Sequence, residues 1–222
     1  MVAQKRRKRK DQPKRGYGQY CALAKALDVI GDRWTLLIVR ELLARGPCRY
    51  TDVRNGLPGI ATNLLAARLR ELERSGIIRR EEAPPPIATT LLHLTPRGED
   101  LRPVVHAIGQ WGGALLGEPR VGETFCSHWM AMPVELFLRD RTPEGPPIAI
   151  EVHCGDEPLV VETANGGVRT RLGRAEHPDV VLTGPPHLVL GVLTGKLPRD
   201  EATKHGLRHE GDLQVLRRLQ PG

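Results

Sequence analysis

Aromatic residues are scarce in this chain: Phe, Trp and Tyr together make up 4% of its 222 positions. The hydrophobic share of 40% is ordinary, so a packed core can still form. There are four cysteines, Cys21, Cys48, Cys126 and Cys154, scattered with no C-x-x-C pair. That spacing argues against a zinc site and against a disulfide framework, and fits reduced thiols in a cytosol. No run approaches the roughly 18 apolar residues of a membrane span, and the basic amino terminus has no apolar stretch behind it to make a secretory signal. The expected location is therefore cytoplasmic and nucleoid-associated. Catalytic signatures are missing as well, with no G-x-S-x-G, Walker loop or H-E-x-x-H. His153 and Cys154 adjoin, but neighbours on a strand point to opposite faces. His128, His187, His205 and His209 are dispersed and read as surface or hydrogen-bonded histidines. Neither an enzyme nor a cofactor or metal protein is expected.

What the chain does have is a concentration of charge. The formal net charge is +7. Lys5, Arg6, Arg7, Lys8, Arg9, Lys10, Lys14 and Arg15 face only Asp11 within the first fifteen residues, so this segment accounts for the whole excess. Residues 1–16 have nothing apolar to bury and are expected to be a disordered arm. Such an arm can hold phosphates in a salt-dependent, sequence-blind way.

The stretch Leu57–Arg80 organises the rest. Leu65, Leu69 and Leu72 recur at helical spacing and form an apolar stripe. Thr62 stands where an N-cap belongs, after a Pro58-Gly59 turn, and Gly76 stands where a helix stops. The opposite face carries Thr62, Asn63, Ala66 and Arg70, with no carboxylate before Glu71. Small residues allow close approach to a DNA major groove, and Asn and Arg can read base edges there. Upstream, Tyr20–Ile30 and Trp34–Leu43 read as helices separated by Gly31-Asp32, and Tyr50–Asn55 reads as a short polar helix. A short helix, a tight turn and a longer helix make a helix-turn-helix. Downstream, Ile77–Arg80, a proline-rich tip at Pro84-Pro85-Pro86 and Thr89–Leu94 predict a two-stranded wing. Thr95-Pro96 then starts a helix to about Leu116. Its apolar residues Leu101, Val104, Val105, Ile108, Trp111 and Leu115 are too many for one packing face, which points to a second subunit.

In order and spacing, these pieces resemble the HxlR-type winged-helix regulators, bacterial relatives of the MarR group. The resemblance is carried by Cys21, by Ile30-Gly31-Asp32-Arg33-Trp34-Thr35, by Gly59-Ile60 leading into Leu65–Glu73, by Gly76–Arg80 and by Leu94–Gly98. It implies a homodimer joined through the first and last helices of this region on a pseudo-palindromic operator. Thr62, Asn63, Ala66, Ala67 and Arg70 are then expected to read bases. Arg49, Arg68, Arg79, Arg80, Arg97 and the arm residues Lys5–Lys10 are expected to hold phosphates. The chain departs from the family pattern at Ala22, where a proline usually follows the cysteine, and at Leu92, where an aromatic is usual. No Arg or Lys lies between Ala83 and Thr90, so the wing tip is not expected to read the minor groove. In some relatives the cysteine matching Cys21 senses oxidants, and Lys25 lies one helical turn on. Without a local partner thiol, Cys21 is expected instead to be a small buried side chain.

After a polar break at Gly117–Gly122 the character changes. Phe125–Leu138 reads as one or two helices. Strands follow at Ile148–His153, Leu159–Thr163, Val168–Leu172 and Val180–Leu182, then helices at His187–Leu193 and Arg199–His205. The run Asp179–Gly184, the leucines and Gly-Lys-Leu of Leu190–Leu197, and Gly206–Asp212 resemble the sterol carrier protein fold. That resemblance implies an apolar small-molecule ligand among Trp129, Phe137, Leu182, Leu190, Leu193 and Leu207.

The expectation is thus a mainly α winged helix-turn-helix domain at 17–118 behind a basic arm at 1–16, followed by a smaller α+β sterol-carrier-like domain at 124–220. The function expected is a homodimeric regulator of operator DNA with an apolar effector. The alternatives are an apolar-ligand carrier that uses the winged helix only to dimerise, or a thiol switch through Cys21.

Overall fold

The computed structural model describes residues 16–84, 89–117, 119–164 and 166–221. The basic arm at residues 1–15 and the wing-tip residues 85–88 lie outside the described residues.

The amino-terminal half begins with α1 (Ala22–Ile30), α2 (Thr35–Arg45), the two-residue strand β1 (Cys48–Arg49) and α3 (Tyr50–Asn55). It continues with α4 (Thr62–Arg74), β2 (Ile78–Glu82), β3 (Thr90–Leu94), α5 (Pro96–Glu99) and α6 (Arg102–Gly112). The expected stripe forms: Leu65, Leu69 and Leu72 are buried against Ile38, Val39 and Leu42 of α2 and Val53 of α3. Complete burial of a leucine contributes about 1.5–3 kcal/mol, so α4 is held mainly by this stripe. Two boundary details differ from expectation. Ala61, not Thr62, is the N-cap of α4, and Thr62 is its first helical residue. The single helix expected from Pro96 to Leu116 is instead α5, α6 and a short 3-10 turn, Gly113–Leu115. At the other end of α4, Gly76 adopts φ 68°. Ile77 N–H then donates to Leu72 O and Gly76 N–H to Glu73 O, so the helix stops in a left-handed cap that a side chain would strain.

The wing is an antiparallel pair in which Ile78 faces Leu94 and Glu82 faces Thr90. β1 adds a third strand, placing Cys48 opposite Leu92. Two residues between helices carry no period to read, so this strand was not legible in the sequence. Leu92 is buried in the core.

The carboxy-terminal half starts with a 3-10 turn, Ser127–Met130, and α7 (Ala131–Phe137). Next come β4 (Leu138–Asp140), β5 (Ala149–His153), β6 (Leu159–Ala164), β7 (Gly167–Leu172) and β8 (Val180–Thr183). The chain finishes with α8 (Pro186–Leu193), α9 (Arg199–Lys204), β9 (Arg208–Gly211), a 3-10 segment at Leu213–Arg218 and β10 (Leu219–Pro221). Five strands form one sheet in the order β7-β6-β5-β8-β9, with β5 and β8 parallel and the other pairs antiparallel. β4 and β10 pair separately. There the Arg218 guanidinium grips the Asp140 carboxylate at 2.8 and 2.9 Å and holds its pKa below the ordinary value. Two hydrophobic cores result, one in each half. Among the described residues no helix is long and apolar enough to cross a membrane.

Candidate nucleic-acid interface

The helix-turn-helix consists of α3, the turn Gly56–Ala61 and α4. An Asp52 carboxylate accepts the Arg49 backbone N–H at 2.8 Å, which closes the start of α3. The Tyr50 hydroxyl donates to Thr62 O at 3.2 Å, tying the start of α3 to the start of α4. With Leu65 and Leu69 inward, Thr62, Asn63 and Arg70 are exposed and Ala66 and Ala67 half-buried. Thr62, Ala66 and Arg70 are four residues apart and share a face. That face is small and neutral at its start and cationic further on.

Both carboxylates of α4 are ion-paired. Glu71 meets Arg68, and Glu73 accepts from Arg80 Nε at 3.1 Å. Arg70 and Arg74 therefore stand beside neutralised acids, with Arg74 Nε donating to Arg70 O at 3.3 Å.

The expected phosphate-holding residues are not equivalent. Arg49 and Arg97 are exposed, at the start of α3 and on α5. Arg79 and Arg80 are exposed on β2 but paired, Arg79 with Glu81 and Arg80 with Glu73. The Arg79 guanidinium, by hydrogen bond and charge, lowers the Glu81 pKa. Arg68 is the clear departure. Its side chain is only 18% exposed and it bonds Asp32 at 2.6 Å as well as Glu71. It fastens α4 to the turn between α1 and α2, and does not present a guanidinium to solvent. Its pairing partner Asp32 is 36 residues away in the chain, so the local sequence around Arg68 shows only an unpaired-looking cation. Arg54 is a further exposed cation, on α3.

Two further expectations can be placed. Cys21 is exposed at the start of α1, which corrects the expectation of a buried side chain. The Lys25 ammonium, one turn on, faces the Asp28 carboxylate at 4.0 Å. Burial pushes the Cys48 thiol up to about 12 and the Cys154 thiol up to about 11, so both are far from thiolate character.

The six expected ligand-lining residues do not share one surface. Leu182, Leu193 and Leu207 are in the carboxy-terminal core and Leu190 packs against it. Phe137 has the Lys196 ammonium 5.2 Å from its ring centroid. Trp129 leaves this group altogether: its indole N–H donates to Glu41 of α2 at 2.8 Å.

Leu23 and Leu27 of α1 and Val104, Ile108 and Trp111 of α6 are exposed. Leu115 and Leu116 extend the same apolar row, at 73% and 80% exposure.

A buried α4 stripe, a tight turn from α3 and an antiparallel wing define a winged helix-turn-helix protein, the architecture of DNA-binding transcriptional regulators. The family model described as HxlR-like helix-turn-helix matches residues 29–119. The HTH-type transcriptional regulator sll1512 of Synechocystis sp. is 36% identical over 102 residues, covering 45% of this chain and 73% of that protein. YvaP of Bacillus subtilis is 34% identical over 87 residues, covering 39% of this chain and 80% of that protein. The solved structure of the reduced form of YodB from B. subtilis is 28% identical, covering 46% of this chain and 100% of that chain at a TM-score of 0.39. The chain belongs to the HxlR-like helix-turn-helix family of transcriptional regulators. The family match ends at residue 119 and leaves the carboxy-terminal half unassigned.

Proposed function

We propose that this regulator works as a homodimer that reads a pseudo-palindromic operator with α4. Thr62, Asn63, Ala66, Ala67 and Arg70 contact base edges, while Arg49, Arg79, Arg80, Arg97 and the arm residues Lys5–Lys10 hold phosphates. The observation that carries this reading is the exposed face of α4, small and uncharged at its start and cationic from Arg70, with both of its carboxylates neutralised. The dimer is supported by the apolar rows of α1 and α6, which are exposed among the described residues of one chain. Two copies of α4 in such a dimer lie about one DNA turn, roughly 34 Å, apart.

The carboxy-terminal domain acts as the effector module, taking an apolar small molecule among Phe137, Leu182, Leu190, Leu193 and Leu207. Support comes from the convergence of apolar side chains from α8 and the sheet in one core. A ligand there shifts operator affinity only by favouring one pose of the two recognition helices over another. Native mass spectrometry with a duplex from the gene's own upstream region tests the scheme. Two chains per specific duplex support it; single chains, or equal retention of a scrambled duplex, reject it.

A further inference from the structure

The two halves meet at a buried carboxylate. Glu41 of α2 has no exposed surface. Its Oε1 accepts from Trp129 Nε1 at 2.8 Å and from Arg40 Nη2 at 2.6 Å, and its Oε2 lies 2.6 Å from His128 Nε2. Arg45 Nη2 stands 2.9 Å from His128 Nδ1. A guanidinium has donors only, so in this contact Nδ1 is the acceptor and Nε2 faces the Glu41 carboxylate as the donor. Two residues of the carboxy-terminal half thus reach 87 and 88 positions back along the chain to one oxygen pair.

The same site touches the helix-turn-helix. Arg40 Nη2, already bound to Glu41, also donates to Gly56 O at 3.1 Å, at the turn that leads into α4. Gly56 is buried, and a Cβ there would overlap the Glu41 carboxylate. Arg40 is held from the other side too, its guanidinium 4.3 Å from the Trp129 ring centroid. Further into the carboxy-terminal half, Ser127 N–H donates to Asp156 Oδ1 at 2.8 Å and Ser127 Oγ to Glu157 O at 2.5 Å. A hydrogen-bonded chain therefore runs from the turn between β5 and β6, through Ser127–Trp129, Glu41 and Arg40, to Gly56.

We infer that Glu41 is a positioning residue through which the carboxy-terminal half sets the pose of the Gly56–Ala61 turn and hence of α4. A buried carboxylate that loses a donor cannot turn to water, so its remaining partners must move with it. Here the partner that moves is Arg40, whose Nη2 is shared with the turn. The inference rests on the reading of α4 as the DNA-reading helix.

The full-length chain carrying Trp129→Phe removes one donor and keeps a ring for Arg40. Without DNA, amide hydrogen exchange at Gly56, Leu57 and Ile60 is expected to quicken at least fivefold; these amides donate to Asp52 O, Arg54 O and Leu57 O. With DNA, the preference for the upstream duplex over a scrambled one is expected to fall at least fivefold. Adding Glu41→Gln is expected to do no further harm, because both changes act at one point. His128→Gln, which still offers a donor and an acceptor, is expected to retain most of the preference, and His128→Ala to lose it. Unchanged exchange at Gly56 and Leu57, with faster exchange confined to residues 126–130, overturns the inference. If Trp129→Phe unfolds the chain, Ser127→Ala with the same two readouts decides. Should the unaltered protein prefer no duplex, the DNA-reading proposal fails by itself, and the exchange result still decides whether Glu41 positions the turn.

Discussion

The Arg68 guanidinium on α4 meets the Asp32 carboxylate, in the turn between α1 and α2, at 2.6 Å, and the same nitrogen pairs with Glu71. A basic residue of α4 is thereby committed to holding that helix in place. Arg68→Ala is expected to lower stability by about 1–2 kcal/mol, in the range of one charged hydrogen bond in a partly exposed site. The salt dependence of DNA binding should not change, since no phosphate contact is lost. Denaturant titration and a salt series check both halves. Unchanged stability with a shallower salt slope would return Arg68 to the phosphate contacts.

The exposed α6 row sets a second expectation. Ile108 and Trp111 are 50% and 74% exposed, large apolar side chains that face solvent in one chain. Ile108→Glu is expected to shift the protein from dimer to monomer in light scattering, with its helical signal intact. It should also weaken the upstream duplex far more than a half-site, because the two α4 helices no longer act together. A dimer that survives this change would place the subunit contact elsewhere.

Most of the winged helix was legible because its signals are local. The α4 stripe, the Gly76 stop, the Thr95 cap and the Pro96 start each lie within a few residues of what they determine. Thr95 Oγ1 indeed accepts from Gly98 N–H at 3.2 Å. What was not legible depends on long-range partners. Arg68 looked like a phosphate contact until Asp32 was beside it. Trp129 looked like a ligand-lining residue until α2 brought Glu41 to it; His128 is hydrogen-bonded, one of its two expected states, but its partner on α2 lies 87 residues away. Glu41 itself sits in an apolar helix, WTLLIVRELL, where one acid gives no sign that it is buried.

The pH dependence of stability follows from Glu41. Burial alone would raise its pKa, but the hydrogen bond from His128 and the charge of Arg40 outweigh it, holding the carboxyl below its ordinary 4.5. Above that value the carboxyl is ionised in both folded and unfolded chains, and its contribution to stability is complete. As pH falls below about 4.5 the unfolded chain binds the proton first, so this contribution shrinks until the folded-state pKa is passed. Glu41→Gln is expected to flatten this part of the acid limb in urea titrations between pH 3 and 6. An unaltered slope would assign the acid sensitivity to other carboxylates, such as Asp140 and Asp156, which are also held low.

The thiol alternative is separable. Cys21 is exposed and the other three cysteines are buried or half-buried. Under the operator-and-effector account, Cys21→Ser binds the upstream duplex as the unaltered protein does, before and after mild oxidation. Release of DNA on oxidation that Cys21→Ser abolishes would make the thiol the switch.

The most direct test is of base reading by α4: the affinity of the protein and of Arg70→Ala for the upstream duplex and for a scrambled duplex, at physiological salt. The account predicts a clear preference for the upstream sequence. Arg70→Ala should cost roughly 1–3 kcal/mol on that sequence and little on the scrambled one. Equal losses on both duplexes would make Arg70 a phosphate contact and contradict the assignment of α4 as the helix that reads sequence.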